Sequence, residues 1–175
     1  KTQKKGIVYY THNELDPVIA QTARDVLMRS VNGHSIVSVS LKPVQLGKNI
    51  VLEREKGYET YLRQILAGLE ASDADWVFMA EHDCIYPPEA FSFFPVKRDR
   101  YYYNTNVVKV RYDDGHVVSY DNCLQVSGLC AHRELLIQHY KKRIERFHED
   151  GDRYDRRIGY EPGMRPTSRG GIDDF

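Results

Sequence analysis

Glu81 and Asp83 are the residues of this chain whose type and spacing most directly suggest chemistry. They flank His82 at the end of an apolar run, Trp76-Val77-Phe78-Met79-Ala80. In an extended chain residues i and i+2 point to the same side, so both carboxylates could face one hard cation. Mg²⁺ and Mn²⁺ take oxygen ligands, often one or two carboxylates together with phosphate oxygens. An ion held that way neutralises a diphosphate and stabilises it as a leaving group. The same pattern also makes an acidic loop that merely caps a strand, because short acidic motifs recur by chance. Pro87-Pro88, just beyond, stiffen the loop that follows.

The elements that must position these carboxylates are legible in the hydrophobic pattern. Gly6 to Thr11 reads as a buried strand ending in the polar loop Thr11-His12-Asn13. Asp16 is placed to cap a helix that has Pro17 in its first position and stops at Asn32-Gly33. Ser35 to Ser40 is a second strand, and Leu41 to Lys56 reads as irregular and polar. Tyr58, Tyr61, Leu62, Ile65, Leu66 and Leu69 give a second helix one apolar stripe. The strand 76–80 follows. Strand, helix, strand, helix, strand implies right-handed crossovers and a parallel sheet covered on both faces. Ligands of such sheets sit beyond the carboxyl ends of the strands. Thr11-His12-Asn13 and Glu81-His82-Asp83 therefore fall on one rim.

The second half changes character. Val107 to Tyr112 and Val117 to Tyr120 flank Asp113-Asp114-Gly115-His116, a hairpin signal. Ser127-Gly128 is read as preceding a third helix over 133–149. From Asp150 onward the chain is rich in Gly, Pro, Arg and Asp, and reads as loops that could form a mobile lid.

Composition bounds the rest. The chain has 175 residues, 41% hydrophobic and 29% charged, which suits one ordinary globular domain over 1–175. Lys+Arg and Asp+Glu each number 25, which excludes a strongly basic nucleic-acid binder by overall charge. No apolar run approaches bilayer thickness. Cys84, Cys123 and Cys130 fit no disulfide framework or zinc spacing and read as reduced thiols of a reducing compartment.

Several stretches taken together resemble a known family. Ala80-Glu81-His82-Asp83 after an apolar strand resembles the Asp-x-Asp motif of glycosyltransferases with the GT-A fold, and the alternating entry matches that fold. Glu81 to Pro87, Tyr102 to Val107, Gln125 to Arg133 and Gly159-Tyr160-Glu161-Pro162-Gly163 resemble a bacterial and phage group of small glycosyltransferases. The resemblance implies a mixed, mainly parallel sheet flanked by helices, with the β-hairpin in the second half. It also implies transfer of a sugar, hexosyl or pentosyl, from a nucleotide-diphosphate sugar, UDP-type foremost, with Mn²⁺ or Mg²⁺ as cofactor.

By that resemblance Asp83 is the direct metal ligand. Glu81, longer by a methylene than the family's Asp, reaches the ion through water or holds the donor ribose. Tyr10, Thr11, His12 and His82 line the nucleotide, with Tyr10 or His12 stacking on the base. The further ligand that such enzymes draw from near the C-terminus would lie past a truncated end, or Asp173, Asp174 or His148 would substitute for it. An inverting transfer needs a carboxylate base, for which Glu161 stands ahead of Asp150; a retaining transfer needs none. Tyr103, Asn104, Asn106, Ser127 and Gly128 are expected on the acceptor side. One or two of Arg153, Arg156, Arg157, Arg165 and Arg169 would clamp the diphosphate. The acceptor could be a glycan, a small molecule or a modified base of phage-type DNA, and the setting the cytoplasm of a bacterial or phage-infected cell. The competing readings are a sugar nucleotidyltransferase, disfavoured because no glycine-rich loop follows the first strand, and a non-catalytic nucleotide-sugar-binding domain.

Overall fold

The computed structural model describes residues 3–120, 123–150 and 162, with the backbone alone described at Tyr120 and Asp150. Its elements in chain order are β1 (Lys5–Thr11), α1 (Pro17–Ser30), β2 (Ser35–Ser40), β3 (Lys48–Val51), α2 (Tyr58–Ala71), β4 (Trp76–Glu81), β5 (Tyr101–Tyr103), β6 (Val107–Val110), β7 (Val117–Tyr120), β8 (Leu129–His132) and α3 (Arg133–Asp150). Short 3₁₀ turns, Pro88–Phe91 and Val126–Gly128, precede β5 and β8.

Local chemistry sets most of these boundaries. Asp16 caps α1 by accepting from the backbone N–H groups of Val18 and Ile19, and Pro17 fills the first turn where no donor is needed. Asn32 and Gly33 then adopt positive φ and turn the chain out of the helix. Along α2 the buried residues Leu62, Ile65 and Leu69 repeat on one face. Gly68 lets that face approach the sheet, since a Cβ there would sit 2.5 Å from Val8 Cγ1.

The main sheet has the order β3-β2-β1-β4-β8-β5. β1 to β4 are mutually parallel, and β8 runs antiparallel to β4 and β5. This is the mixed, mainly parallel sheet expected. Alternate strand residues face opposite layers. Val8, Tyr10, Val77 and Met79 pack with Leu62, Ile65, Leu69, Leu136, Tyr140 and Ile144 under α2 and α3. Ile7, Tyr9, Phe78 and Ala80 pack with Leu27 and Phe91 on the side of α1. The expected hairpin is present as β6 and β7, paired from Val107↔Tyr120 to Val110↔Val117, with Gly115 at positive φ in its turn.

Two strands, β3 and β8, depart from the sequence reading. β3 lies inside the segment expected to be irregular. It is a four-residue strand at the sheet edge, and its half-exposed Lys-Asn-Ile-Val carries little alternation. β8 intervenes between Gly128 and α3, so Ser127 and Gly128 do not open a helix. Tyr101-Tyr102-Tyr103 forms edge strand β5, with Tyr102 and Tyr103 packed against opposite core layers.

The direction of β8 matters for the site. Descending against β4, it ends with His132 opposite Trp76, at the start of β4. α3 therefore climbs back toward the carboxyl ends of β1 and β4. His148, near its end, meets Glu59 in the first turn of α2 at 2.9 Å.

Candidate active site and metal centre

β1 and β4 are neighbours in exact parallel register, with Tyr10 directly opposite Glu81. The Tyr10 hydroxyl donates to Glu81 Oε1 at 2.5 Å. On the other side the backbone N–H of Glu81 donates to the Tyr86 hydroxyl at 2.9 Å. Two buried phenols thus grip one residue, through its carboxylate and its backbone. After Glu81 the chain leaves the strand in a turn closed by Cys84 N–H on Glu81 C=O at 3.4 Å. Convergence of Glu81 and Asp83 therefore comes from this turn and not from extended geometry. The turn also brings in Cys84. One donor atom from each of Glu81, Asp83 and Cys84 lies within 4.8 Å of the others. The Cys84 thiol sits 3.6 Å from Asp83 Oδ1.

Burial tunes these groups unevenly. Loss of water pushes the Glu81 carboxyl above its ordinary value; the Asp83 charge adds to this, and the Tyr10 hydrogen bond opposes it. Tyr10 is pushed well up by burial and then by the Glu81 charge, so its proton stays in place for donation. The Cys84 thiol is pushed up to about 12, by burial first and then by Glu81 and Asp83. His82 is pushed down, mainly by burial, which keeps its ring neutral. Its ring meets that of His12 edge to face at 4.7 Å, and its Nδ1 is buried without a hydrogen-bond partner.

The donor set fits a divalent cation. Two carboxylates supply hard oxygens, one rigidly held and one on the exposed Asp83. Burying the Glu81 charge is costly by itself, and a cation beside it would offset that cost.

Sequence-expected nucleotide residues divide sharply. His12 is half-buried at the rim beside His82, where its ring can meet a ligand. Tyr10 cannot stack on a base: it is 4% exposed, its ring packs edge-on against Tyr61, and its hydroxyl is spent on Glu81. Thr11 is equally buried, and its hydroxyl accepts from Asn13 N–H. His148 is engaged with Glu59 in the first turn of α2.

On the expected acceptor side, Asn104, Ser127 and Gly128 line one small pocket with Tyr86 and Phe91. Gly128 is required by close approach, since a Cβ there would fall 2.8 Å from the Asn104 carbonyl. Tyr86, whose hydroxyl accepts from the Glu81 N–H, joins this pocket to the carboxylate rim. Asn106 does not line the pocket; its N–H closes a turn on Asn104 Oδ1. Tyr103 donates to the Pro162 carbonyl at 2.6 Å. Asp150 closes α3 at the end of the sheet where Glu81 lies, but its side chain is outside the described residues. So are Glu161, Asp173, Asp174 and the five late arginines.

Sequence reasoning missed three positioning residues. Asn13, at positive φ, accepts from the N–H groups of Leu41 and Lys42 and donates to the Lys42 carbonyl, tying the exits of β1 and β2 together. Gln64, buried within the α2 stripe, donates to the Thr11 carbonyl at 2.7 Å. Tyr86 is the third. An Asn directly after a strand end was the one available signal; nothing local marks Gln64 or Tyr86.

Comparison with known proteins agrees with this architecture. The fold is similar to that of the apo form of glycosyltransferase GlyE from Streptococcus pneumoniae TIGR4, with a TM-score of 0.51 over 88% of this chain at 13% identity. This chain spans 40% of the length of that protein. No family model matches the sequence, and no curated protein matches it. The likeness is one of fold: a mixed, mainly parallel sheet flanked by helices. Among the described residues no helix is long and apolar enough to cross a membrane.

Proposed function

We propose that this protein is a metal-dependent glycosyltransferase, moving a hexosyl or pentosyl group from a nucleotide-diphosphate sugar, UDP-type, to a hydroxyl acceptor. The observation that carries the reading is the convergence of Glu81 and Asp83 at the carboxyl end of β4, beside the end of β1, in a fold similar to that of a glycosyltransferase. Mn²⁺ or Mg²⁺ bound there supplies positive charge to the departing diphosphate.

The chain's own residues divide the remaining work. Asp83, exposed and free to adjust, is the direct ligand. Glu81, fixed by Tyr10, would use its second oxygen to reach the ion through water or to hold the donor ribose. His12, backed by His82, lies against the nucleotide. Asn104, Ser127 and Gly128 shape the acceptor side, with Tyr103 and Asn106 extending it. Glu161 or Asp150 takes the acceptor proton in an inverting transfer. The acceptor is a glycan, a small molecule or a modified DNA base, and the work is done in the cytoplasm of a bacterial or phage-infected cell, as in the small bacterial and phage group that the motifs resemble.

A panel of nucleoside diphosphates, each with and without Mn²⁺, tests the reading by thermal shift. One nucleotide should raise the melting temperature only when Mn²⁺ is present, because a ligand that binds the folded state alone stabilises it. The absence of any shift across the panel would remove the transferase reading. A shift without turnover of any donor sugar would leave a nucleotide-sugar-binding domain.

A further inference from the structure

The sequence treats Cys84 as an inert thiol, and the fold puts it in the carboxylate cluster. The turn after β4 folds Cys84 back on Glu81, and its sulfur faces Asp83 Oδ1 at 3.6 Å. Zinc-type ions hold carboxylate oxygen at ~2.1 Å and thiolate sulfur at ~2.3 Å, which makes the oxygen–sulfur edge of a tetrahedron about 3.6 Å. The pair is already spaced as it would be around such an ion. Glu81 completes three donors within 4.8 Å, and among the described residues no other group of three His, Cys, Asp or Glu side chains is so gathered.

The chemistry of this set is mixed. Two carboxylates suit Mg²⁺ and Mn²⁺, whereas thiolate sulfur selects softer or borderline ions. A thiol that ligates such a cation does so as the thiolate. The other two cysteines are placed differently. Cys130 is buried in β8 opposite Phe78, and Cys123 belongs to no such group.

We propose that Cys84 is a third metal donor, making this an oxygen–oxygen–sulfur site that takes a thiophilic divalent cation such as Co²⁺ or Zn²⁺ in competition with Mg²⁺ and Mn²⁺. On binding, the sulfur–hydrogen bond breaks, the proton goes to solvent, and the freed sulfur lone pair forms the bond to the ion. Nothing is oxidised or reduced. The inference rests on the reading of Glu81 and Asp83 as an ion-holding pair, and it makes Cys84 the residue that decides which ions occupy it.

Co²⁺ alone, added to the reduced full chain under anaerobic conditions, reads the sulfur directly. The wild type should show the intense near-ultraviolet charge-transfer band of a cobalt–thiolate bond. The band should weaken on adding Mn²⁺, persist in Cys123→Ser and vanish in Cys84→Ser. Co²⁺ binding without the band, no Co²⁺ binding, or an undiminished band in Cys84→Ser would each overturn the proposal. A second measurement needs no variant: Zn²⁺ should slow alkylation of Cys84 in the wild type, located by peptide mass spectrometry, and leave Cys123 unaffected. Equal rates with and without Zn²⁺ would overturn it. The two readings fail separately, since a cobalt–thiolate band with no nucleotide-dependent thermal shift would retain the metal site and remove the transferase.

Discussion

Replacing Tyr10 with Phe removes one oxygen and leaves the ring packed against Tyr61. The oxygen lost is the donor to Glu81 Oε1, inside a largely dry setting. A hydrogen bond to a charged group is worth ~1.5–3 kcal/mol, against ~0.5–1.5 kcal/mol between neutral groups. The cost of the substitution therefore depends on whether Glu81 is ionised. Burial raises the Glu81 pKa in the folded protein above its ordinary 4.5. The stability this group contributes is thus fully present below 4.5 and is lost as pH rises through the raised folded value. The Tyr10 hydroxyl limits that loss by favouring the carboxylate. Without it the folded pKa climbs further and the loss at neutral pH grows. Tyr10→Phe should therefore cost ~1.5–3 kcal/mol at pH 7 and ~0.5–1.5 kcal/mol near pH 4. Urea unfolding at both pH values, followed through the fluorescence of the single, buried Trp76, reads the difference. An equal cost at both, or a larger one in acid, would show that the hydroxyl does not act on a charged Glu81. Glu81→Gln is the companion test. It keeps an acceptor for Tyr10 and removes the buried charge, so stability at pH 7 should rise while metal-dependent nucleotide binding is lost.

Other substitutions separate site from scaffold. Asp83→Asn, at an exposed position, should alter stability by no more than about 0.5 kcal/mol yet abolish the Mn²⁺-dependent thermal shift; a shift retained in full would show that Asp83 is not a ligand. Gly68→Ala should destabilise by ~1–3 kcal/mol in denaturant, because the new methyl meets Val8 Cγ1 at 2.5 Å and Val39 Cγ2 at 3.2 Å, outweighing the gain of ~1 kcal/mol in helix propensity. His139, buried on α3, has its pKa pushed down to about 3, mainly by burial and then by the Arg143 and Lys142 charges. It stays neutral when folded while the unfolded chain takes a proton below 6.5, so stability falls as pH drops from 6.5 toward 3. His139→Gln should flatten that acid limb of the unfolding curve, and an unchanged slope would exclude His139 as its source.

Much of the scaffold could be read from local pattern. Buried runs such as Ile7-Val8-Tyr9-Tyr10 and Trp76 to Ala80 alternate with helices whose caps and stripes are explicit, and that order dictates parallel crossovers. Asp16 and Pro17 start α1, Gly115 turns the hairpin, and Glu81 and Asp83 mark the rim, all through chemistry acting within a few residues. Strands β3 and β8 were not legible. β3 and β8 have four residues each and lack the turn signal that marks the equally short β6 and β7; pairing with β2 sets β3, and pairing with β4 and β5 sets β8. The pairing of β1 with β4 was likewise beyond reach. It sets Tyr10 across from Glu81, 71 residues on, which turns an expected base-stacking ring into the buried anchor of a carboxylate. The turn after Glu81 swings Cys84 into contact with Asp83 and makes a three-donor cluster from what read as an isolated thiol. Residue types and their local periods belong to the sequence; which side chains share one small, dry volume is decided only when distant strands hydrogen-bond in register, because that pairing is a long-range choice no local window contains.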